Sequence, residues 1–172
     1  MATIKTLYPS TSSIALTCDL SSLATSSTFV AGRASTAVNN TTNLDVDHLL
    51  SGQIRGGTTP TVGTQIGVFV YASISTSSGT PTYPDSITGS DAAKTMTSIN
   101  VMNSALVFVT AITVDATTDR YYYFGPISIV SLFGGVMPKF WGVYISNASV
   151  ANLHATAGSH VLSYERVQMQ TV

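Results

Sequence analysis

The chain has 172 residues, and only 9% of them are charged, whereas about 25% are charged in ordinary soluble domains. It contains 23 Ser and 25 Thr but one glutamate, Glu165, and three lysines, so long charged surface helices are excluded. Seven Lys and Arg stand against eight Asp and Glu, and the net charge is −1. No basic cluster is available to neutralise a row of phosphates, so direct nucleic-acid binding is excluded.

The N-terminal residues 1–13 contain little apolar side-chain area, and we expect them to form an extension or arm that reaches a neighbouring subunit. No apolar run follows Lys5, and the longest apolar stretches, residues 105–114 and 127–137, are interrupted by Thr, Ser or Gly. We therefore expect neither a signal peptide nor a membrane span. Cys18 is the only cysteine, which excludes an internal disulfide and leads us to expect synthesis in a reducing, cytosolic compartment.

Short runs of alternating or β-branched apolar residues recur along the rest of the chain and predict strands. In one of them, Ile66, Val68 and Val70 lie on the same face of an extended chain. Gly, Asn and Pro residues between the runs favour turns over regular structure. The eight predicted strands span residues 14–20, 28–34, 44–54, 66–74, 105–114, 121–130, 139–146 and 160–169.

Helical signals are weak by comparison. Only residues 90–94, with Ser90 as a cap, combine helix formers with a start signal, and they predict at most one short helical turn. Many β-branched strands without intervening helices predict an all-β fold, a single antiparallel β-sandwich domain over residues 14–172. Eight strands suit a jelly roll, and a sandwich of fibronectin or immunoglobulin type is the nearest alternative.

Asp45, Asp47 and His48 place three side chains that can bind metal within four residues. In a continuous strand, Asp45 and Asp47 share one face and His48 lies on the other. We interpret them as solvated polar positions on a half-buried strand, with a calcium or other cation site as the alternative. The sequence has no zinc-hydrolase histidine pair, Gly-x-Ser-x-Gly elbow or phosphate loop, so we predict neither an enzyme nor a cofactor.

Two runs break the alternation of apolar and polar residues. Residues 105–112 are apolar on both faces, so we expect a long loop or another subunit to cover the second face. Residues 121–124, Tyr-Tyr-Tyr-Phe, place rings on alternating faces, so at least two rings point away from the core. They predict either an edge packed under a loop or an exposed interface or sugar-stacking surface.

Three further residues near these runs are candidates for contacts with a partner. The cations Arg120 and Lys139 either stay solvated or stack and pair at an interface. Trp141 is either a core residue or an anchor for an interface or ligand. The candidate interface residues are therefore Arg120, Tyr121, Tyr122, Tyr123, Phe124, Lys139 and Trp141.

Three groups of residues invite comparison with a known family. They are Phe29-Val30-Ala31-Gly32-Arg33 with Ser35-Thr36-Ala37-Val38, then Tyr83-Pro84-Asp85 with Ile87-Thr88-Gly89-Ser90-Asp91, then Leu132-Phe133-Gly134-Gly135 with Pro138-Lys139-Phe140-Trp141-Gly142-Val143. Over residues 12–165, this combination resembles small virion structural proteins of tailed bacteriophages. The shared residues are descriptive and not catalytic.

The resemblance implies a capsid decoration, or cement, protein whose β-sandwich sits on the outside of the head and clamps neighbouring capsomers. Its partner would be the lattice of the major capsid protein, and a homo-oligomer, in particular a trimer, would suit threefold positions. The alternative is a carbohydrate-binding or receptor-binding module of a phage tail or fibre, with Tyr121, Tyr122, Tyr123 or Trp141 as exposed stacking rings. The low charge fits a protein that buries uncharged surface against neighbours.

Overall fold

The computed structural model describes residues 3–9, 13–76 and 79–171. The strands in these ranges are β1 (Ile4–Leu7), β2 (Ile14–Ala15), β3 (Ala31–Ala34), β4 (Val38–Asn39), β5 (Asp47–Arg55), β6 (Gln65–Ala72), β7 (Ala92–Thr95), β8 (Val107–Thr113), β9 (Tyr121–Ser128), β10 (Phe140–Ala148) and β11 (Val161–Thr171). The helices are α1 (Ile99–Ala105) and α2 (Ile129–Leu132), with 3-10 turns at Pro84–Ser86 and Ala157–Ser159. None of these helices is long and apolar enough to cross a bilayer.

The strands form two antiparallel sheets. The first sheet has the order β1-β11-β5-β9, with β2 also paired to β11. The second has the order β7-β3-β10-β6-β8, with β4 also paired to β10. The prediction of an all-β antiparallel sandwich is confirmed, and each of the eight predicted runs contains a strand. Three strands, β1, β4 and β7, were not predicted from the sequence.

The main core lies between the two sheets. Leu50 and Ile54 of β5 pack there with Val68 of β6 and Val143 of β10, all fully buried. Burial of each such side chain stabilises the fold by about 1.5–3 kcal/mol. Cys18 is half-buried and packs against the same core, and burial, reinforced by the charge of Asp91, raises the pKa of its thiol to about 12.

A second apolar cluster covers the other face of the second sheet. Phe69, Tyr71 and Tyr144 are buried there under Met102 of α1 and Leu106. One end of the run at residues 105–112 is therefore covered by other parts of this chain, because Leu106 is buried in the cluster. The cover stops short of Phe108, which remains 56% exposed.

The close approach of the Tyr71 ring to the β10 backbone explains why position 142 is a glycine. Gly142 of β10 pairs with Tyr71 of β6, and a Cβ atom on Gly142 would lie 2.4 Å from the Tyr71 ring. The Tyr71 hydroxyl donates a hydrogen bond to the Ser35 carbonyl at 2.6 Å, which satisfies the buried polar end of the ring. The outer face of the second sheet therefore buries aromatic rings, whereas the outer face of a two-sheet sandwich without such a cover would be exposed to water.

The predicted helical turn at residues 90–94 is wrong. Ala92–Thr95 is strand β7, and it pairs antiparallel with Ala31–Ala34. The helix of this region begins later, at Ile99, where the Ser98 hydroxyl accepts a hydrogen bond from the Val101 N–H at 3.2 Å. Pairing to β3 outweighs the helix propensity of the Ala-Ala-Lys sequence, since propensity is a weak local preference.

The end of the first sheet narrows to a two-stranded ribbon. Residues 161–167 of β11 pair with β5, whereas residues 168–171 pair with β1 and, among the described strands, with no other. Ile4 and Met169, both in this ribbon, are 68% and 59% exposed. Of the predicted arm 1–13, residues 1–2 and 10–12 lie outside the described residues, and residues 4–7 pair with β11 of the same chain.

Candidate functional site

The outer face of the first sheet carries an uncharged, partly aromatic surface, named here the tyrosine face. Gln53 of β5 pairs with Tyr123 of β9 on one side and with Val161 of β11 on the other. Tyr123 is 69% exposed and Val161 is 47% exposed. A cleft with a volume of about 370 Å³ runs between these strands. The tyrosine face consists of Ser51, Gln53, Tyr121, Tyr123, Val161 and Ser163.

The aromatic run of β9 divides between the two faces of the sheet. Tyr121 and Tyr123 are exposed, whereas Tyr122 and Phe124 pack against the main core. The Tyr122 hydroxyl donates to Asp115 Oδ1 and accepts from the Asp115 N–H, both at 3.1 Å. The prediction that at least two rings point away from the core is confirmed, and Tyr122 is half-buried and oriented toward the core.

Two arginines flank the tyrosine face. The Arg55 guanidinium lies 5.3 Å from the ring centroid of Tyr121, within the range of a cation–π contact. Arg120 Nη1 lies 2.8 Å from Asp115 Oδ2, and both side chains are well exposed. Exposed pairs of this kind add little stability, so Arg120 is a solvated rim residue next to Tyr121.

Trp141 lies on β10 of the second sheet, and Lys139 directly precedes that strand. Neither residue joins the tyrosine face. Trp141 is fully buried in the main core. The core alternative for Trp141 is confirmed, and its place among the candidate interface residues is corrected, because no partner can reach it. Lys139 is exposed, and its carbonyl accepts a hydrogen bond from the Asn40 N–H at 2.8 Å. It lines a separate cleft of 400 Å³ that also contains Leu44 and Met137.

A buried polar network joins the two sheets beneath Lys139. Trp141 Nε1–H donates to His48 Nδ1 at 2.8 Å. Since His48 Nδ1 accepts this bond, the ring carries its proton on Nε2, which donates to Asp45 Oδ2 at 2.9 Å. Burial lowers the pKa of His48, and the opposing hydrogen bond with Asp45 does not cancel this effect. Both ring nitrogens are occupied, so His48 has a structural role.

Asp45 is the centre of this network. Arg166 donates to it from Nε at 2.8 Å and from Nη2 at 3.0 Å, and Gln168 Nε2 donates at 2.7 Å. Burial acts to raise the pKa of the Asp45 carboxyl, but the hydrogen bonds from Arg166, His48 and Gln168 outweigh it, so the pKa lies below its ordinary value. The carboxylate is therefore charged and paired inside the protein.

The interpretation of Asp45 and His48 as solvated strand positions is wrong. Asp45 is 3% exposed and His48 is 1% exposed. The strand begins only at Asp47, and Asn40 holds the Asp45 backbone with bonds of 2.9 and 3.0 Å, which turns the carboxylate toward His48. The cation alternative gains no support, since the described ranges contain no cluster of three His, Cys, Asp or Glu side chains that could bind a metal.

We expect the protein to lose stability when the pH falls below the ordinary histidine pKa of 6.5. Burial lowers the pKa of His48 and, likewise, of His160, whose Nε2–H donates to the His154 carbonyl at 2.9 Å. As the pH falls, the unfolded chain therefore binds protons at these two histidines before the folded protein does. Their contribution to stability is fully present above pH 6.5 and is lost as the pH falls below it. The expected slope is up to about 1.4 kcal/mol per pH unit for each histidine.

Denaturant unfolding between pH 8 and pH 5 measures this slope, as the carboxylates titrate in a lower range. The His160→Gln variant is expected to have a smaller slope than the unaltered protein, because one of the two buried histidines is gone. Equal free energies of unfolding at about pH 7.5 and pH 5.5 would contradict the assignment of neutral, buried imidazoles.

Four members of the tyrosine face were not predicted from the sequence, namely Ser51, Gln53, Val161 and Ser163. Alternation along β5 and β11 places each of them on the face opposite the buried Leu50, Ile54 and Leu162. Their position beside Tyr121 and Tyr123 depends on pairing between strands far apart in the chain.

A search with the whole chain against protein-family models, curated proteins and solved structures finds no match in any of the three.

Proposed function

We propose that this chain is a non-enzymatic structural protein of a bacteriophage virion, a decoration protein that binds the outer capsid lattice and stabilises the head. The tyrosine face carries the proposal. It presents three exposed apolar side chains, Tyr121, Tyr123 and Val161. The uncharged Ser51, Gln53 and Ser163 lie between them, and the charged Arg55 and Arg120 lie at the rim. Interface centres are enriched in tyrosine and depleted in charge, and a few aromatic side chains supply most of the binding energy.

The mechanism requires association energy and no chemical step. Each copy would bury its tyrosine face across a boundary between copies of the major capsid protein, so rupture of the lattice would also require separating these contacts. A stable contact of this kind buries about 800 Å² on each partner. Arg55 and Arg120 at the rim would contribute to orientation and to the association rate more than to affinity.

The two-stranded ribbon supports self-association of the protein. β1 is exposed along most of its length, and its outer edge has no paired strand among the described residues. A two-stranded pair without a covered face is marginally stable in water. Contact with a second copy would cover Ile4 and Met169, and we propose a homo-oligomer, with a trimer as the state that suits a threefold position of the lattice.

The strand order supports the jelly-roll assignment. Eight positions of the sandwich form the two rows β2-β11-β5-β9 and β3/β4-β10-β6-β8, and the chain passes between the rows repeatedly. Jelly rolls are double-sheet folds of eight strands that occur in viral capsid and lectin domains. We infer that the three-strand excess over the predicted eight comes from the β1 ribbon, the split of β3 and β4, and the edge strand β7.

A carbohydrate-binding or receptor-binding module of a phage tail or fibre is the second candidate. The exposed ring of Tyr123 favours it, because this ring borders a cleft that also contains Gln53 and Ser163. Aromatic rings stack on apolar ligand faces while neighbouring amide and hydroxyl groups bind polar substituents. In this role the same surface would bind a glycan in place of a capsid protein.

The Tyr123→Ser variant tests the capsid role by co-sedimentation with undecorated phage heads. We expect the unaltered protein to bind at a fixed stoichiometry per capsomer and to raise the thermal stability of the heads. The variant is expected to bind about 30-fold more weakly, the effect of losing an interface residue worth about 2 kcal/mol. Phe108→Ser, which removes an exposed ring from the other sheet, is the matched control and is expected to bind normally.

Two results separate the candidates. No binding of the unaltered protein to heads, together with Tyr123-dependent binding on a glycan array, would replace the capsid role with the second candidate. Equal losses in the Tyr123 and Phe108 variants would show that the tyrosine face is not the contact surface. Light scattering on the free protein at several concentrations reports the oligomeric state, and a monomer throughout would contradict self-association.

A further inference from the structure

A third cavity opens at one end of the sandwich, where four connecting segments meet. It has a volume of 510 Å³ and is lined by Ser22, residues 57–59, Asp119 and residues 151–155. This volume falls within the range of about 300–1,000 Å³ that is usual for small-molecule sites. We name it the loop-end cavity. It belongs neither to the tyrosine face nor to the buried network around Asp45.

The walls of the loop-end cavity are held in place by tight backbone contacts. A Cβ atom on Gly57 would lie 1.9 Å from the Asn152 carbonyl oxygen, so these two segments touch without a side chain between them. The Asp119 N–H donates to the Gly57 carbonyl at 3.1 Å, and the His154 N–H donates to the Arg55 carbonyl at 3.3 Å. The backbone segments that carry the polar side chains of the cavity are therefore held in fixed positions.

One polar atom in this cavity lacks a partner. Asp119 Oδ1 is buried and, among the buried side-chain nitrogen and oxygen atoms of the described residues, is the one found without a hydrogen-bond partner. The rest of Asp119 is bound, since Arg55 Nη2 lies 3.4 Å from Oδ2 and Arg55 Nε donates to the Asp119 carbonyl at 3.2 Å. The Asp119 side chain as a whole is 34% exposed, and a buried acceptor without a donor costs about 1–3 kcal/mol. A donor from outside the chain would therefore stabilise this oxygen.

His154 faces the same unpartnered oxygen. Its Nδ1 accepts a hydrogen bond from the Thr156 N–H at 3.1 Å, so the neutral ring carries its proton on Nε2. His154 Nε2 lies 3.9 Å from Asp119 Oδ1, too far for a direct hydrogen bond. A hydroxyl oxygen about 2.8 Å from each atom would fill the gap, with its proton donated to Asp119 and its lone pair accepting from His154.

We propose that the loop-end cavity binds a neutral polyhydroxylated ligand of the size of a single sugar residue, with one hydroxyl bridging Asp119 Oδ1 and His154 Nε2. Ser22, Thr58, Thr59 and Asn152 supply further hydroxyl and amide groups on the wall. An anion is disfavoured by the Asp119 carboxylate, and a cation is disfavoured by the Arg55 guanidinium bound to that carboxylate. The inference does not rest on the proposed capsid role.

Titration of the full-length, ¹⁵N-labelled protein with four sugars tests the site. The probes are glucose, galactose, mannose and N-acetylglucosamine, each added up to about 100 mM, in the weak range expected for single sugar units. We expect at least one sugar to shift the His154 ring nitrogen resonances in a saturable way. The Asp119→Asn variant is expected to weaken that binding about tenfold, because it replaces the charged acceptor.

Asp115→Asn is the matched control, because it makes the same change in the same loop outside the cavity, and it is expected to leave the dissociation constant within about twofold. Tyr123→Ser is also expected to leave it unchanged, which separates this site from sugar binding at the tyrosine face. Absence of a saturable His154 shift with all four sugars in the unaltered protein would overturn the proposal and leave water as the bridge. Equal binding by the Asp119 and Asp115 variants would overturn it as well.

Discussion

Replacing Asp45 with Asn is expected to destabilise the protein by about 3–5 kcal/mol, the usual cost of removing one partner of a buried ion pair. The Asp45 side chain is 1% exposed and accepts bonds from Arg166, His48 and Gln168. An amide supplies one acceptor oxygen and presents an NH₂ group to the remaining donors. The guanidinium of Arg166 then loses its countercharge.

Denaturant unfolding of the Asp45→Asn variant measures this loss. Glu165→Gln is the matched control, because it neutralises an exposed carboxylate on the same strand as Arg166, and we expect it to change the free energy of unfolding by less than about 0.5 kcal/mol. Similar values for the two variants would show that the Asp45 network does not contribute to stability beyond an ordinary surface charge.

Replacing Trp141 with Ala is expected to cost about 3–5 kcal/mol, because it removes a large, fully buried side chain from the main core. Trp141→Phe separates the two contributions of this residue. Phe retains much of the apolar volume but has no N–H, so His48 Nδ1 loses the donor that lies 2.8 Å away. We expect Trp141→Phe to cost about 1–3 kcal/mol, the penalty of an unsatisfied buried acceptor.

Thermal and denaturant unfolding of both Trp141 variants test this division. Tyr123→Ala removes an exposed ring and is the control, with an expected loss of less than about 1 kcal/mol. A Trp141→Phe variant as stable as the unaltered protein would contradict a role for the indole N–H. Because a loss of 1 kcal/mol lowers the melting temperature by about 2–4 °C in a chain of this size, all three effects are measurable.

The buried network explains why Trp141 is not available for binding even though it is the only tryptophan. It connects His48 of β5 in the first sheet with Trp141 of β10 in the second, and Arg166 of β11 completes it. A fully satisfied polar network of this kind specifies how two sheets register on each other. In the proposed function, a partner would therefore contact side chains on the outside, such as Tyr121 and Tyr123.

Several features of the fold were predictable because they depend on neighbours in sequence. Alternation in β6 and the apolar runs of β8 and β10 predicted strands, since successive side chains of an extended chain point to opposite faces. The inward and outward division of Tyr121, Tyr122, Tyr123 and Phe124 followed from the same alternation. The short helix α1 also had a local signal, the Ser98 cap, which the sequence reading overlooked.

The sequence by itself thus determined an all-β chain with few charges and an aromatic run with two outward rings, because strand alternation and composition are local properties. Only the tertiary structure decided that Ala92–Thr95 is a strand, that Asp45 is buried against Arg166, and that Asp119 meets His154. Each of these depends on residues 35 to 121 positions apart being brought together, from the Asp119–His154 pair to the Asp45–Arg166 pair. Contacts over such separations are set by sheet pairing and packing, which no local pattern specifies.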